Sequence, residues 1–330
     1  MPELPLGFMS GLWHSDSMVV IPEKLSWLAM LLRVHGSVLP QIWRRVLVTT
    51  GLACVLTLLH MYLGWFTRSV PPLLFTVVGL ALSIFLGFRN STGYDRYWEG
   101  RKLWGGLVNT SRNFSRRILT LIHSERPEEA EQVRALQREM VYLVIAYVHS
   151  LRCHLRGDAY QTLAPLLTES DFVRLQAWSH PPLYLAQRLG ESIALAHAHG
   201  WLNPLHVSLL EEPLSGLIDI QGGCERIKST PIPLAYLILL HQLVAIYCLA
   251  LPFGMVEGLD TYTPVVVMIV SYAFLGLDAI GDSIENPFEL DDHDLPLSAL
   301  SRSIEVNLRT QLGEVELPPL LQPDRSGLLM

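Results

Sequence analysis

Three groups of residues in this sequence have the types and spacing to do chemistry. The first is a polar run, Arg89, Asn90, Tyr94, Asp95, Arg96, Glu99 and Arg101, which directly follows a long uncharged stretch. Such a run can form the wall of an ion vestibule, or a network of i,i+4 neighbours that fixes a helix and its contacts. The structural role is expected for most of these residues, with Arg89 the one to test as a vestibule group. The second group is the acidic cluster Glu289, Asp291, Asp292 and Asp294, whose oxygens have the spacing a calcium loop could use. Leu290 and His293 interrupt it and no glycine tightens it, so a solvated acidic loop is expected. The third comprises His60 and His241 inside apolar runs, with Asp278, Asp282 and Glu285 at the end of the last such run. Ionisable groups at membrane depth call for a functional hypothesis. A neutral histidine can instead satisfy itself across a helix contact, and that role is expected here. The three acids are expected to pair with basic residues of the same cytoplasmic layer.

Other chemistry finds no footing. Gly222-Gly223 lacks the Gly-Lys-Ser/Thr of a phosphate loop, and neither Gly-x-Ser-x-Gly nor His-Glu-x-x-His occurs, so no enzyme is expected. The four cysteines (Cys54, Cys153, Cys224 and Cys248) have neither disulfide nor zinc spacing. No basic stripe suits a nucleic acid, and no cofactor is implied.

The elements that carry these groups follow from composition. Half of the 330 residues are hydrophobic and only 17% are charged, against about 25% charged in soluble domains. Four stretches qualify as bilayer spans: Val46–Phe66, Val70–Phe88, Ile232–Val256 and Pro264–Ile280. At about 1.5 Å per residue, the 21 residues of Val46–Phe66 just cross a core of about 30 Å. Prolines Pro71, Pro231, Pro233 and Pro264 stand at or near the starts of the other three, where the helix tolerates them. Glu3, Glu23 and Lys24 precede the first long apolar run, so no secretory signal peptide is expected.

Basic residues set the orientation. Arg44 and Arg45 precede the first span, Arg89, Arg96, Arg101 and Lys102 follow the second, and Arg226 and Lys228 precede the third. The opposite connections hold Arg68 in one, and Glu257 and Asp260 in the other. Both termini and the middle of the chain are therefore expected on the cytoplasmic side. This divides the chain into a cytoplasmic segment at 1–45, a hairpin at 46–88, a cytoplasmic helical domain at 89–231, a second hairpin at 232–281 and a cytoplasmic end at 282–330.

In the middle domain helices are expected over Ser91–Ile122, Glu128–Arg156, a short stretch near Glu169–Trp178, Leu183–His199 and Pro204–Ile227. Asn203 caps the last of these ahead of Pro204. Val133, Leu136, Met140, Leu143, Val144 and Tyr147 recur at helical spacing, so one face of the second helix should be buried. A further helix is expected from about Leu295 to Leu312, followed by a tail rich in proline and leucine.

The run Ile84-Phe-Leu-Gly-Phe-Arg-Asn-Ser-Thr-Gly-Tyr-Asp-Arg-Tyr-Trp-Glu-Gly-Arg-Lys-Leu-Trp-Gly105 resembles the bacterial branch of the bestrophin family. Three shorter stretches agree with it in order and spacing. They are His35-Gly-Ser-Val-Leu39; Gly222-Gly-Cys-Glu-Arg226 followed by Thr230-Pro-Ile-Pro233; and Asn286-Pro-Phe288 with Asp294-Leu-Pro-Leu297. The resemblance runs from about Ser26 to Leu312. It implies an all-α homopentamer in the bacterial inner membrane, with four spans per subunit and the second span of each around one central pore. It also implies a passive channel for small monovalent ions, with an apolar neck and a second apolar aperture at the cytoplasmic exit. Carried onto this chain, the neck is Leu80, Ile84 and Phe88, and the aperture is Leu205. In animal members an acidic run after Asn-Pro-Phe belongs to a calcium clasp, and Asp291 and Asp294 fall at comparable positions.

Residues 80, 84 and 88 are four apart and share one helix stripe, and a ring of such stripes can gate by dewetting. Spacing alone favours a stripe that faces lipid or the next helix, since every charge-free span has one; the resemblance's register is what selects the pore. Gly79, Ala81, Ser83 and Gly87 are small enough to let neighbouring helices approach. The acidic outer residues Glu257 and Asp260 lean the expected preference slightly toward cations. The alternatives are a secondary transporter, which would need charged sites at mid-membrane, and a membrane scaffold that recruits a partner.

Overall fold

The computed structural model describes residues 36–64 and 71–323. Trp65, Phe66, Arg68 and Val70, and the N-terminal residues up to His35, lie outside the described residues. All regular structure among the described residues is helical. The described residues form nine α-helices in order: α1 Leu39–Leu63, α2 Pro72–Leu121, α3 Ala130–Arg156, α4 Glu169–Ala177, α5 Pro181–Ala198, α6 Pro204–Ser229, α7 Leu234–Leu259, α8 Thr263–Glu285 and α9 Leu297–Gln311. Their contacts define two compact units, one built on 36–98 and 230–287, the other on Glu99–Ser229 and 288–323.

The first unit holds the apolar helices. Among the described residues three stretches are long and apolar enough to cross a membrane: Leu39–Leu63, Pro72–Leu121 and Leu234–Glu285. The third is folded in two. Asp260, with φ at +42°, breaks it, and a single 3₁₀ turn at Asp260–Tyr262 leads into α8. The two arms run antiparallel, because His241 near the start of α7 lies 2.8 Å from Asp278 near the end of α8. Tyr247 and Phe274 meet edge to face midway, with ring centroids 5.0 Å apart.

α1 starts seven residues ahead of the expected span and so contains Arg44 and Arg45. Pro40 in its first turn favours that start. It stops at Gly64, whose left-handed φ of +61° lets its N–H reach the His60 carbonyl. The core joins Ile42, Val46 and Ala53 of α1, Phe75, Leu82 and Leu86 of α2, Val244 and Leu251 of α7, and Val267 and Leu275 of α8. Close approach of α2 and α7 depends on glycine. A Cβ on Gly254 would lie 2.1 Å from the Phe75 ring, and one on Gly79 would lie 2.6 Å from the Tyr247 hydroxyl. Gly87, also expected at a helix contact, has nothing within 4 Å of its Cβ position.

The largest departure from expectation is α2. A span ending at Phe88 and a separate helix from Ser91 were anticipated, yet 50 residues form one helix. The fall in hydropathy at Arg89 does not end it, because no proline follows Pro72 within the helix and the buried seam continues. Residues 75, 79, 82, 86, 89 and 93 are all buried, at the i, i+4, i+7 spacing of one helix face. Thr76, Ser83 and Thr92 satisfy their hydroxyls on carbonyls four residues back.

In the second unit α3 is the central element. The expected face of Val133, Leu136, Met140, Leu143, Val144 and Tyr147 is buried, but so are Val141, Ile145, Ala146 and Val148 around the rest of the helix. The reason is that α5, α6, α9 and a 3₁₀ turn at Tyr160–Leu166 all pack on α3. α9 is fastened to it by His149 and Glu305, 3.0 Å apart and both buried. Burial pushes the His149 ring below its usual value, against the pull of the Glu305 carboxylate. The tail begins docked: Glu314 accepts from Tyr142 at 2.8 Å and Arg138 at 3.0 Å.

Candidate pore site

Leu80, Ile84 and Phe88 project from α2 on the side away from the buried seam. They are 63%, 50% and 63% exposed, whereas Leu82 and Leu86, between them in sequence, are 3% and 0% exposed. Two faces of one helix are thus separated by their partners: one packs into the chain's own core, and the other carries three apolar residues, spaced four apart, that this core leaves open. Soluble monomers rarely expose contiguous apolar surface on this scale. The outer faces of α1 (Leu47, Val48, Val55), α7 (Leu239, Ile246) and α8 (Val265, Ile269) are likewise exposed and apolar. Such surfaces belong to a membrane protein. Phe88 also forms one wall of a cleft of about 390 Å³, shared with Arg96, Pro231, Ile232 and Tyr236.

Arg89, the residue after the stripe, is not on that open face. Its guanidinium is fully buried and clamps the end of α8. It donates to Asp278 Oδ1 at 2.8 Å and to the Asp278 carbonyl at 3.3 Å, pairs closely with Asp282, and lies 4.0 Å from Glu285. The far oxygen of Asp278 faces His241 Nδ1 at 2.8 Å, and Glu285 accepts from the Ile232 N–H at 3.2 Å. Gly281 leaves room for this arrangement, since a Cβ there would lie 2.6 Å from Asn90 Oδ1 and 3.3 Å from the Arg89 guanidinium. The vestibule role considered for Arg89 is therefore replaced by a structural one. The helical count places residue 89 on the seam with Leu82 and Leu86, not on the stripe with Ile84 and Phe88. The pairing expected for Asp278, Asp282 and Glu285 is present, as is the helix-contact role for His241. His60 sits 3.7 Å from Asp260 at the other end of the unit. Of the remaining polar run, Arg96 donates to the Glu285 carbonyl at 2.9 Å and Glu99 pairs with Arg226, both structural uses.

In the second unit Leu205 stands in the first turn of α6, where Asn203 Oδ1 accepts its N–H at 2.9 Å. Its side chain is 80% exposed. The cap fixes the backbone and leaves the leucine projecting from the helix start.

The acidic run is not one solvated loop throughout. Glu289, Asp291 and Asp292 are exposed, but Asp294 is buried and its Oδ2 accepts from the Asp291 N–H at 2.8 Å. Among the described residues this run gathers no trio of close ligand atoms. Burial pushes the Asp294 carboxyl up to about 7, the charges of Asp291 and Glu289 add to the push, and the Asp291 N–H and Arg156 oppose it. The folded chain therefore keeps this proton up to about pH 7, whereas the unfolded chain loses it near 3.8. Stability from the neutral carboxyl is full below the unfolded value and is lost as pH rises toward 7. Asp294→Asn should accordingly gain on wild type by more than about 1 kcal/mol between pH 5 and pH 8. Thermal unfolding at the two pH values checks this, and a difference that stays constant between them would contradict it.

Comparison with known proteins identifies the family. The family model for the bacterial and fungal bestrophin protein matches residues 18–310. A voltage-dependent anion channel-forming protein of Ralstonia nicotianae, RSc3414, is 40% identical over 301 residues, covering 91% of this chain and 96% of the relative. The Escherichia coli K12 protein YneE, which bears the same descriptive name, is 36% identical over 314 residues, 93% of this chain and 98% of its own. A crystal structure of a bacterial bestrophin homologue from Klebsiella pneumoniae superposes with a TM-score of 0.78 at 30% identity, covering 83% of this chain and all of that one. The family match and these near full-length relatives establish that the chain belongs to the bestrophin family, in its bacterial and fungal branch.

Proposed function

We propose that this chain forms a passive channel for small monovalent ions, as a homopentamer whose five α2 helices surround one pore. The observation that carries the reading is the open apolar stripe Leu80, Ile84 and Phe88, set opposite the buried seam of the same helix. Four spans per subunit fit the helices, with α1 and α2 as one hairpin and α7 and α8 as the other, both termini cytoplasmic, in the bacterial inner membrane. The boundaries at 45/46, 88/89, 231/232 and 281/282 follow that topology. Leu205 would form the cytoplasmic aperture.

The slight lean toward cations finds no support. The named relatives are anion channel-forming proteins, and an apolar collar carries no charge of its own. Their names favour anions as the permeant species here. The transporter alternative would draw on the cluster of Arg89, Asp278, Asp282 and His241, but those groups are closed onto one another by ion pairs.

Purified protein in planar bilayers under a tenfold KCl gradient tests the reading. Current should flow in both directions without a second solute, reversing near the chloride equilibrium potential. Reversal near the potassium potential would restore the cation lean, and absence of current would overturn the channel.

A further inference from the structure

Three helices of the Glu99–Ser229 unit bring two imidazoles and a carboxylate to one point that ion conduction does not use. His154 lies in the last turn of α3, His180 immediately precedes α5, and Glu225 lies near the end of α6. Glu225 Oε1 is 3.4 Å from His154 Nε2 and 3.2 Å from His180 Nε2. The three ligand atoms lie within 4.8 Å of one another, with the two rings 4.5 Å apart at their centroids. A tetrahedral zinc ion with bonds of about 2.0–2.1 Å holds neighbouring ligand atoms about 3.3 Å apart. Both nitrogen–oxygen distances match that spacing. The side chains are 27%, 32% and 31% exposed, so an ion can enter and keep water in its fourth position.

A supporting layer is also present. Gln221, one turn before Glu225, places its amide 3.4 Å from His180 Nδ1 and 2.9 Å from Glu225 Oε1. Tyr147 Oη lies 2.7 Å from the Leu217 carbonyl and 2.9 Å from the other end of that amide. The phenol has one proton to donate. That proton goes to the Leu217 carbonyl or to Gln221 Oε1, while Gln221 Nε2 donates to Glu225 Oε1. A ligating carboxylate is held in place by such an outer-shell donor. Lys228, whose charge acts on His154, is held on the His154 carbonyl at 3.1 Å. The second close trio among the described residues, His241, Asp278 and Asp282, already has Arg89 as its cation.

We infer that His154, His180 and Glu225 form a site for a divalent transition-metal ion of the zinc type, which ties α3, α5 and α6 together. The test titrates Zn²⁺ into metal-stripped full-length protein against a chromophoric chelator, and follows thermal unfolding with and without Zn²⁺. Wild type should bind one ion per subunit at this site and unfold at a higher temperature with zinc. His180→Ala and Glu225→Gln should each lose that ion and the zinc-dependent shift, and Gln221→Leu should weaken binding by roughly 10- to 100-fold. Each variant must match the wild-type midpoint in the presence of a chelator, so that loss of binding is separated from loss of fold; any one that does so decides the question. Zinc affinity and thermal shift unchanged in such a variant, or absent from wild type, would overturn the site.

Discussion

Replacing Arg89 with methionine should destabilise the apolar unit by about 3–5 kcal/mol, the range for removing one partner of a buried ion pair. Methionine keeps most of the volume, so lost packing is not the main term. What is lost is the one guanidinium that, among the described residues, pairs with both Asp278 and Asp282, with Asp278 and Glu285 almost completely buried. His241 faces Asp278 and can offset part of the charge if protonated. The expected result is a lower unfolding temperature in detergent and less assembled protein. Adding Asp278→Asn to Arg89→Met should recover part of the loss, because it removes the stranded charge. Equal stability of Arg89→Met and wild type would show that the acids find water, and that the clamp holds nothing.

The second large effect is expected at the neck. Ile84→Ala together with Phe88→Ala removes apolar bulk from the open stripe while leaving the seam of Phe75, Leu82, Leu86 and Arg89 untouched. Both truncations remove apolar bulk from the wall that the proposed path would meet. In a pentamer the change is repeated five times around the axis. A wider and less dry collar conducts better, so current per pore should rise severalfold with little change in stability. The matched control is Leu86→Ala. Leu86 is fully buried against the subunit's own helices, so truncation should cost about 2–5 kcal/mol of stability without widening the path.

Much of the architecture was legible in the sequence because single helices announce themselves locally. Pro204 behind Asn203, the turn at Gly157 and the apolar runs fix element ends within a few residues. The continuity of α2 was not legible, because hydropathy falls at Arg89 while burial does not. An arginine on a buried seam looks like a membrane boundary until its partners Asp278 and Asp282, 189 and 193 residues away, are in place. The same distance problem hid the meeting of His154, His180 and Glu225, which share no sequence window and converge only when α3, α5 and α6 pack. Asp294 shows the limit of composition in another way. Its three acidic neighbours suggested a solvated run, yet the turn back to Asp291 buries it alone. The open face of α2 follows from burial periodicity. The proposal that this face lines a pore rests on the family register, which exposure alone does not supply.

Single-channel conductance of the Ile84→Ala, Phe88→Ala variant, beside wild type in the same bilayer and the same KCl, tests the central claim most directly. A larger unitary conductance in the variant, with Leu86→Ala unchanged per pore, is the predicted result. Identical unitary conductance in variant and wild type would remove the stripe from the ion path and contradict the account.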